Sequence, residues 1–321
     1  MKKIFPGKLQ LLSLVSLFCV LVFAMTVQAK TDSYREIQPI KLKPIQAPKQ
    51  LDAQWKKSLC SLAKLKCPDE DFYIGLYQAK IKGKVSYWLI VNPDKSGPTL
   101  AKFSLKQVSG QDGKLIADWQ LEDSWDFSHY QHSQAKTYSD PLKTEIYPAL
   151  YPVNPKEYAI ALINPYQENF AAGGAYYHHA DFVLLSKKSS PQAPLVSIPF
   201  ECSWLKSGCF LNEEEWEKLN NKHPRPLDCY VEYEDRVEVE VLPETINGNY
   251  QWAFIGFLKY TKGAPKGSVS NTRSYRLPGV IALNPNVKAP VVWSENFPFC
   301  RGTDQFSDNL QIMQKEVEAM R

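Results

Sequence analysis

Apolar and polar side chains alternate along much of this chain, and such a two-residue period is typical of β-strands. Residues 72–77 and 85–91 alternate on either side of Gly83, which predicts a β-hairpin. Residues 103–105 and 115–121 flank the turn-forming sequence Gly110-Gln-Asp-Gly113 and predict a second hairpin. Further strands are expected at residues 158–163, 175–185, 231–242, 250–260 and 280–283. Apolar and polar residues hardly alternate between Trp125 and Tyr151, where we expect a long loop or an irregular crossing between strands.

Helical spacing of apolar residues is rarer. Leu51, Trp55, Leu59 and Leu62 recur at the spacing of a short helix that ends near Lys64. A capping box at residues 212–215 and an apolar stripe at residues 310–320 predict two more helices, the last one C-terminal. The fold class we expect is therefore mainly β with a few peripheral helices, a β-rich α+β protein.

The amino terminus has the pattern of a secretory signal peptide. Residues 1–8 hold three lysines and no acid, residues 11–27 form an apolar run, and Val27-Gln-Ala29 offers a cleavage site before Lys30. An uncleaved membrane anchor is the alternative, but the apolar run is short for a bilayer span. We expect cleavage near Ala29, a periplasmic or secreted protein, and no membrane insertion afterwards. The short Met-Lys-Lys start favours a bacterial source.

Six cysteines follow the leader, and an even count in an exported chain predicts disulfides. Their proximity favours the pairs Cys60–Cys67 and Cys202–Cys209, which leaves Cys229 with Cys300, although six cysteines permit 15 pairings. Zinc sites use other spacings and companion histidines, so zinc is disfavoured.

The chain divides into four stretches. Residues 1–29 are the signal peptide, residues 30–49 an extended leader rich in Pro and Lys, residues 50–200 a first β-rich unit, and residues 201–321 a second unit with the C-terminal helix. Two octets, Cys60–Cys67 and Cys202–Cys209, match at four of eight positions, which favours two duplicated antiparallel β units stapled by disulfides. The alternative is that both halves use common ways of turning a strand.

Net charge excludes some partners. The chain has a formal charge of +4, and removing the three leader lysines leaves the mature protein near neutral. A near-neutral protein has no global field to hold nucleic acid or anionic lipid, so we expect neither partner.

The strand that follows Gly173-Gly174 has the densest cluster of polar and aromatic residues. On a strand Tyr177, His179 and Asp181 share one face and His178 points the other way. His179 and Asp181 are candidates for a metal site or a base with its orienting carboxylate, with His129 and His132 as further ligands. The alternative is a polar sheet face with ordinary hydrogen bonds.

An acidic row at Glu232, Glu234, Glu238 and Glu240 has two interpretations. A pair of carboxylates is what glycoside hydrolysis uses, whereas a solvated sheet face is the commoner outcome.

No assembled catalytic motif is found, and we expect no cofactor and no bound metal. We therefore expect an exported, non-catalytic binding protein whose partner is another envelope or secreted protein, for example as an inhibitor or immunity factor. The alternative is an envelope hydrolase, or a carbohydrate- or metal-binding protein, that uses the cluster from His178 to Asp181.

Overall fold

Antiparallel strands make up most of the chain that the computed structural model describes, namely residues 37–45, 55–68, 74–92, 97–109, 115–131, 143–170, 173–186, 193–207, 230–264, 267–276, 281–282 and 291–292. The helix α1 spans Trp55–Ala63. The strands, in chain order, are β1 Ile40–Lys41, β2 Lys43–Pro44, β3 Ile74–Ile81, β4 Lys84–Val91, β5 Thr99–Ser109, β6 Leu115–Asp126, β7 Glu145–Asn154, β8 Glu157–Phe170, β9 Gly173–Leu184, β10 Leu195–Ser207, β11 Tyr230–Ile246, β12 Asn249–Ala264, β13 Gly267–Arg276, β14 Ile281–Ala282 and β15 Val291–Val292.

Two sheets result. The smaller has the order β2-β3-β4-β5-β6, and the larger has the order β1-β7-β8-β9-β10-β11-β12-β13. Strand β14 joins the larger sheet beside β12, and β15 runs parallel to β10. The other described pairings are antiparallel, as hairpin connections produce. The mainly β fold expected from the sequence is confirmed.

Apolar side chains between the two sheets form one core, to which both sheets contribute. The smaller sheet and its flanking residues supply Leu42, Ala79, Trp88, Ile90, Leu100, Trp125 and Phe127. The larger sheet and its flanking residues supply Ile146, Leu150, Ile160, Leu162, Val183 and Leu185. Trp125 also donates its indole N–H to the Leu185 carbonyl at 2.7 Å, so a hydrogen bond as well as burial joins the sheets.

Helix α1 covers the other face of the smaller sheet. Its buried residues Trp55, Leu59 and Ala63 pack against strand residues such as Leu89 and Phe103. The predicted Cys60–Cys67 disulfide is present, with the two Cα atoms 6.0 Å apart, and it ties the helix to the segment that follows. Cys202 is also disulfide-bonded, and its partner lies outside the described residues, as do Cys209, Cys229 and Cys300.

Residues 39–45 cross from one sheet to the other. Strand β1 pairs with β7 of the larger sheet, and β2 pairs with β3 of the smaller one. Between them the Leu42 N–H donates to the Pro148 carbonyl at 2.9 Å while the Leu42 side chain enters the core. This short segment therefore belongs to both sheets.

The larger sheet has a second, aromatic core centred on Trp252. Its ring lies 5.7 Å from Tyr151 and 5.1 Å from Phe182, measured between centroids, and its indole N–H donates to the Pro152 carbonyl at 2.8 Å. The start of β12 is thus anchored against β7, although the two strands are far apart in the order of the sheet.

One sequence prediction needs correction, and the division into two units stays a prediction. The irregular crossing predicted up to Tyr151 is wrong at its end, because β7 already begins at Glu145. The predicted boundary at residue 200 falls inside β10, and strands from both sides share the larger sheet. Duplication of the two units stays a prediction. The helices predicted at residues 212–219 and 310–320, and residues 1–36, lie outside the described residues.

Candidate functional site

Strand β9 carries the predicted cluster. Its pairing with β8 runs without a register shift from Phe170↔Gly173 to Ala159↔Leu184. Side chains therefore alternate strictly, and Tyr177, His179 and Asp181 lie on one face while His178 lies on the other. This is the distribution that the sequence predicts for a strand.

Asp181 is fully buried and its carboxylate is engaged on both oxygens. The Tyr130 hydroxyl donates to Oδ2 at 2.8 Å, and the Ser197 backbone N–H donates to Oδ1 at 2.8 Å. Ser197 has a φ of 57° and lies where the register between β9 and β10 shifts, so its N–H is turned out of the regular ladder. Asp181 thus connects the turn after β6 and the bulge of β10 to β9.

The hydrogen bond from Tyr130 has an electrostatic consequence for that hydroxyl. Burial, and then the negative charge and hydrogen bond of Asp181, raise the Tyr130 pKa far above its ordinary value of 10.0. Burial raises the pKa of Tyr151 in the same direction. Tyr130 therefore remains a protonated donor wherever the protein is folded, which suits a structural contact.

Alkaline pH is expected to destabilise the fold for this reason. An unfolded tyrosine ionises near pH 10, so the stability due to a raised folded pKa is complete below pH 10 and is lost as the pH rises towards the folded pKa. Each such tyrosine should lower the free energy of unfolding by about 1.4 kcal/mol for every pH unit above 10. Urea unfolding between neutral and alkaline pH measures this slope. Tyr130→Phe should be less stable at neutral pH but should lose stability less steeply, and an unchanged slope would contradict the assignment.

The three candidate histidines that the structure describes, His129, His178 and His179, do not converge. His178 Nδ1 lies 3.2 Å from Glu201 Oε2 on the exposed side of the sheet, and this hydrogen bond, opposed by partial burial, lowers the pKa of Glu201. His179 is half-buried on the opposite face, where its register partners are Asn164 and Pro199. His129 is exposed in the turn before Tyr130.

A metal site at this cluster finds no support in the part of the chain that the structure describes. In that part, no group of three or more His, Cys, Asp or Glu side chains is arranged to hold a metal ion. His132, the remaining candidate ligand, lies outside the described residues. Asp181 accepts one hydrogen bond on each oxygen, from Tyr130 and from Ser197, and both of these contacts are structural.

Tyr177 belongs instead to a group of aromatic and acidic side chains. Its ring stacks on Tyr166 of β8 at 5.8 Å, and Glu168 accepts hydrogen bonds from the hydroxyls of both tyrosines, at 2.8 Å from Tyr166 and 3.5 Å from Tyr177. On the same face Trp204 of β10 lies 5.2 Å from Tyr233 of β11. The strand predicted from the sequence ends at residue 163, so it does not include Tyr166 and Glu168, whereas β8 continues to Phe170.

The acidic row on β11 is a paired, solvated face. Glu234 contacts Lys259 at 3.0 Å, Glu238 contacts Arg236 at 3.4 Å, and Glu240 contacts Arg276 at 3.1 Å. Two of these pairs join different strands and one lies along β11, and each surface pair contributes little to stability. A solvated sheet face is the commoner outcome for such a row.

An exposed apolar pair lies beside these ions. Tyr176 on β9 and Leu205 on β10 are 48% and 43% exposed. Their register partners are Ser203 and Gly174, which places the two side chains diagonally on one face. Gly174, opposite Leu205, has no side chain, so Tyr176 is the near apolar neighbour of Leu205 on this face.

Among the described residues, no helix is both long and apolar enough to cross a membrane. Comparison of the chain with protein families, curated proteins and solved structures finds no match.

Proposed function

We propose that this protein is exported to the bacterial periplasm or exterior and acts there by binding another envelope or secreted protein, as an inhibitor or immunity factor would. The signal-peptide pattern of residues 1–29 and the disulfides at Cys60, Cys67 and Cys202 support an oxidising compartment. In the cluster that the sequence singled out, Asp181 joins Tyr130 and the Ser197 backbone, which is a structural role.

The observation that carries the proposal is the exposed pair of Tyr176 and Leu205. Polar groups surround it on the same face, since His178–Glu201 lies on one side and Glu234–Lys259 on the other. An aromatic anchor with an apolar neighbour and a polar rim is the usual composition of a protein–protein contact. We assign the partner to this spot, which we call the Tyr176 patch.

Site-specific crosslinking in cells tests this assignment. A photoreactive phenylalanine analogue in place of Tyr176 should give one adduct of defined mass with an envelope or secreted protein. The same analogue in place of Leu62, which is 42% exposed on α1, is the matched control and should not give it. In the same sample we expect an amino terminus at Lys30 and cysteines that resist alkylation until they are reduced.

Two results would contradict the proposal. One is the absence of any adduct specific to position 176 in protein that is processed and oxidised. The other is an unprocessed chain whose cysteines are reduced, because then neither the compartment nor the class of partner would hold.

A second candidate, carbohydrate binding, is favoured by the stacked Tyr166 and Tyr177 beside Glu168. Aromatic faces stack on sugar rings, and a carboxylate accepts hydrogen bonds from sugar hydroxyls. Tyr166→Ala would then abolish glycan binding, whereas Tyr176→Ala would leave it unchanged.

A further inference from the structure

Three hairpin turns lie together at one end of the two sheets. Lys82 in the β3–β4 turn donates a hydrogen bond to the Pro155 carbonyl in the β7–β8 turn. Asn154, at the start of that second turn, donates its side-chain N–H to Oδ1 of Asn249 at 3.2 Å. Asn249 is the first residue of β12 and directly follows the β11–β12 turn. These contacts make residues 80–85, 154–157 and 246–249 one continuous surface, which we call the hairpin end.

The hairpin end concentrates positive charge. It holds four lysines, all exposed, at positions 80, 82, 84 and 156. Its one acid, Glu157, accepts hydrogen bonds from Asn154 and Ser186. Just outside it, Glu122 feels the charge of Lys84 but is paired with Lys102 at 2.7 Å, and Glu244 is exposed near the β11–β12 turn. The near-neutral overall charge thus conceals a strongly basic end.

The same surface exposes two large aliphatic side chains. Val85 is 52% exposed and Ile246 is 50% exposed, the highest values among the large apolar side chains that the structure describes. Each lies within three residues of the centre of a turn, where its strand begins or ends. Because exposed aliphatic surface is unfavourable in water, two such residues amid lysines indicate a surface that water does not always cover.

We propose that the hairpin end docks this protein peripherally on a bilayer surface rich in anionic phospholipid. The lysine ammonium groups would contact headgroup phosphates while Val85 and Ile246 reach the boundary with the acyl chains. A membrane surface fits better than a folded partner because the lysines and the two aliphatic side chains all lie in turns, or within three residues of a turn's centre, at one end of the sheets. This inference goes beyond the proposed function and requires no protein partner.

Vesicle sedimentation tests the proposal with the full-length protein as it accumulates in cells. We expect binding to vesicles made of phosphatidylglycerol and phosphatidylcholine in equal parts, weak binding to phosphatidylcholine alone, and a decrease with added salt. Lys84→Gln with Lys156→Gln should weaken binding about 25-fold, since each lysine near an anionic surface contributes about fivefold. Val85→Ser with Ile246→Ser should weaken it by at least about tenfold.

The matched control replaces two exposed lysines away from the hairpin end, Lys41→Gln on β1 with Lys57→Gln on α1, and should bind like the unmodified protein. Equal loss in this control would mean that overall charge and not the hairpin end drives binding, which overturns the proposal. Equal binding to neutral vesicles, which an uncleaved apolar leader would produce, would also overturn the proposal. Complete displacement from the vesicles by inorganic phosphate at constant ionic strength would overturn it too. Circular dichroism of each variant establishes that it is folded.

Discussion

Replacing Asp181 with alanine is expected to lower the free energy of unfolding by about 4 kcal/mol. The carboxylate is fully buried and accepts hydrogen bonds from the Tyr130 hydroxyl and the Ser197 N–H. Its removal takes the acceptor from both donors, and each buried donor left without an acceptor costs about 1–3 kcal/mol. The left-handed backbone at Ser197 also loses the bond that holds it. Urea denaturation followed by circular dichroism measures the change.

Asp126→Ala is the matched control for this experiment. Asp126 also accepts a backbone N–H, from Ser128 at 2.8 Å, but it is exposed to water, which can replace the lost bond. We expect it to cost at most about 1 kcal/mol. If Asp181→Ala were no more destabilising than Asp126→Ala, the carboxylate would not be structural, and a ligand-binding role for the cluster would regain support.

Local turn chemistry explains what the sequence could predict of the fold. In the β3–β4 turn φ is 49° at Lys82 and 81° at Gly83, and in the β11–β12 turn φ is 54° at Asn247 and 80° at Gly248. A two-residue hairpin turn with positive φ at both positions favours glycine, and so the alternating runs on either side could be paired correctly. Helix α1 was likewise predictable, because the spacing of Trp55 and Leu59 gives it one apolar face.

Prolines concealed strand β7 and the second half of β8. Strand β7 contains Pro148 and Pro152, and its pairing with β8 shifts register twice, so the alternation is broken although the strand continues. Strand β8 likewise runs through Pro165, which pairs with His178. A proline lacks a donor but still accepts, as the Pro148 and Pro152 carbonyls do from Leu42 and Trp252.

The surroundings of the candidate site could not be predicted, because they depend on contacts remote in sequence. Asp181 could be placed on the correct face of its strand, but Tyr130 precedes it by 51 residues and Ser197 follows it by 16. Neither partner has a motif that announces the contact. A buried carboxylate with two donors and a catalytic carboxylate look the same in sequence, and only the neighbours distinguish them.

The aromatic core of the larger sheet gives the other large expected effect. Trp252→Ala should lower the free energy of unfolding by about 4–5 kcal/mol, since truncating a fully buried tryptophan removes its packing and leaves a cavity. The loss falls at the point where β12 contacts β7, so Tyr151, Phe182 and the Pro152 carbonyl all lose their neighbour. Amide hydrogen exchange should rise first in β7 and in the first half of β12.

Trp252→Phe separates the two parts of this contact. It keeps an aromatic ring against Tyr151 and Phe182 but cannot donate to the Pro152 carbonyl, so we expect a loss of about 1–3 kcal/mol. It also gives a measurable value if the alanine variant does not fold. Circular dichroism is the proper probe because the substitution removes a fluorophore. If Trp252→Ala instead lowered the free energy of unfolding by less than about 1 kcal/mol, the contact of β12 with β7 would not contribute to stability. The backbone hydrogen bonds between neighbouring strands alone would then hold the larger sheet together.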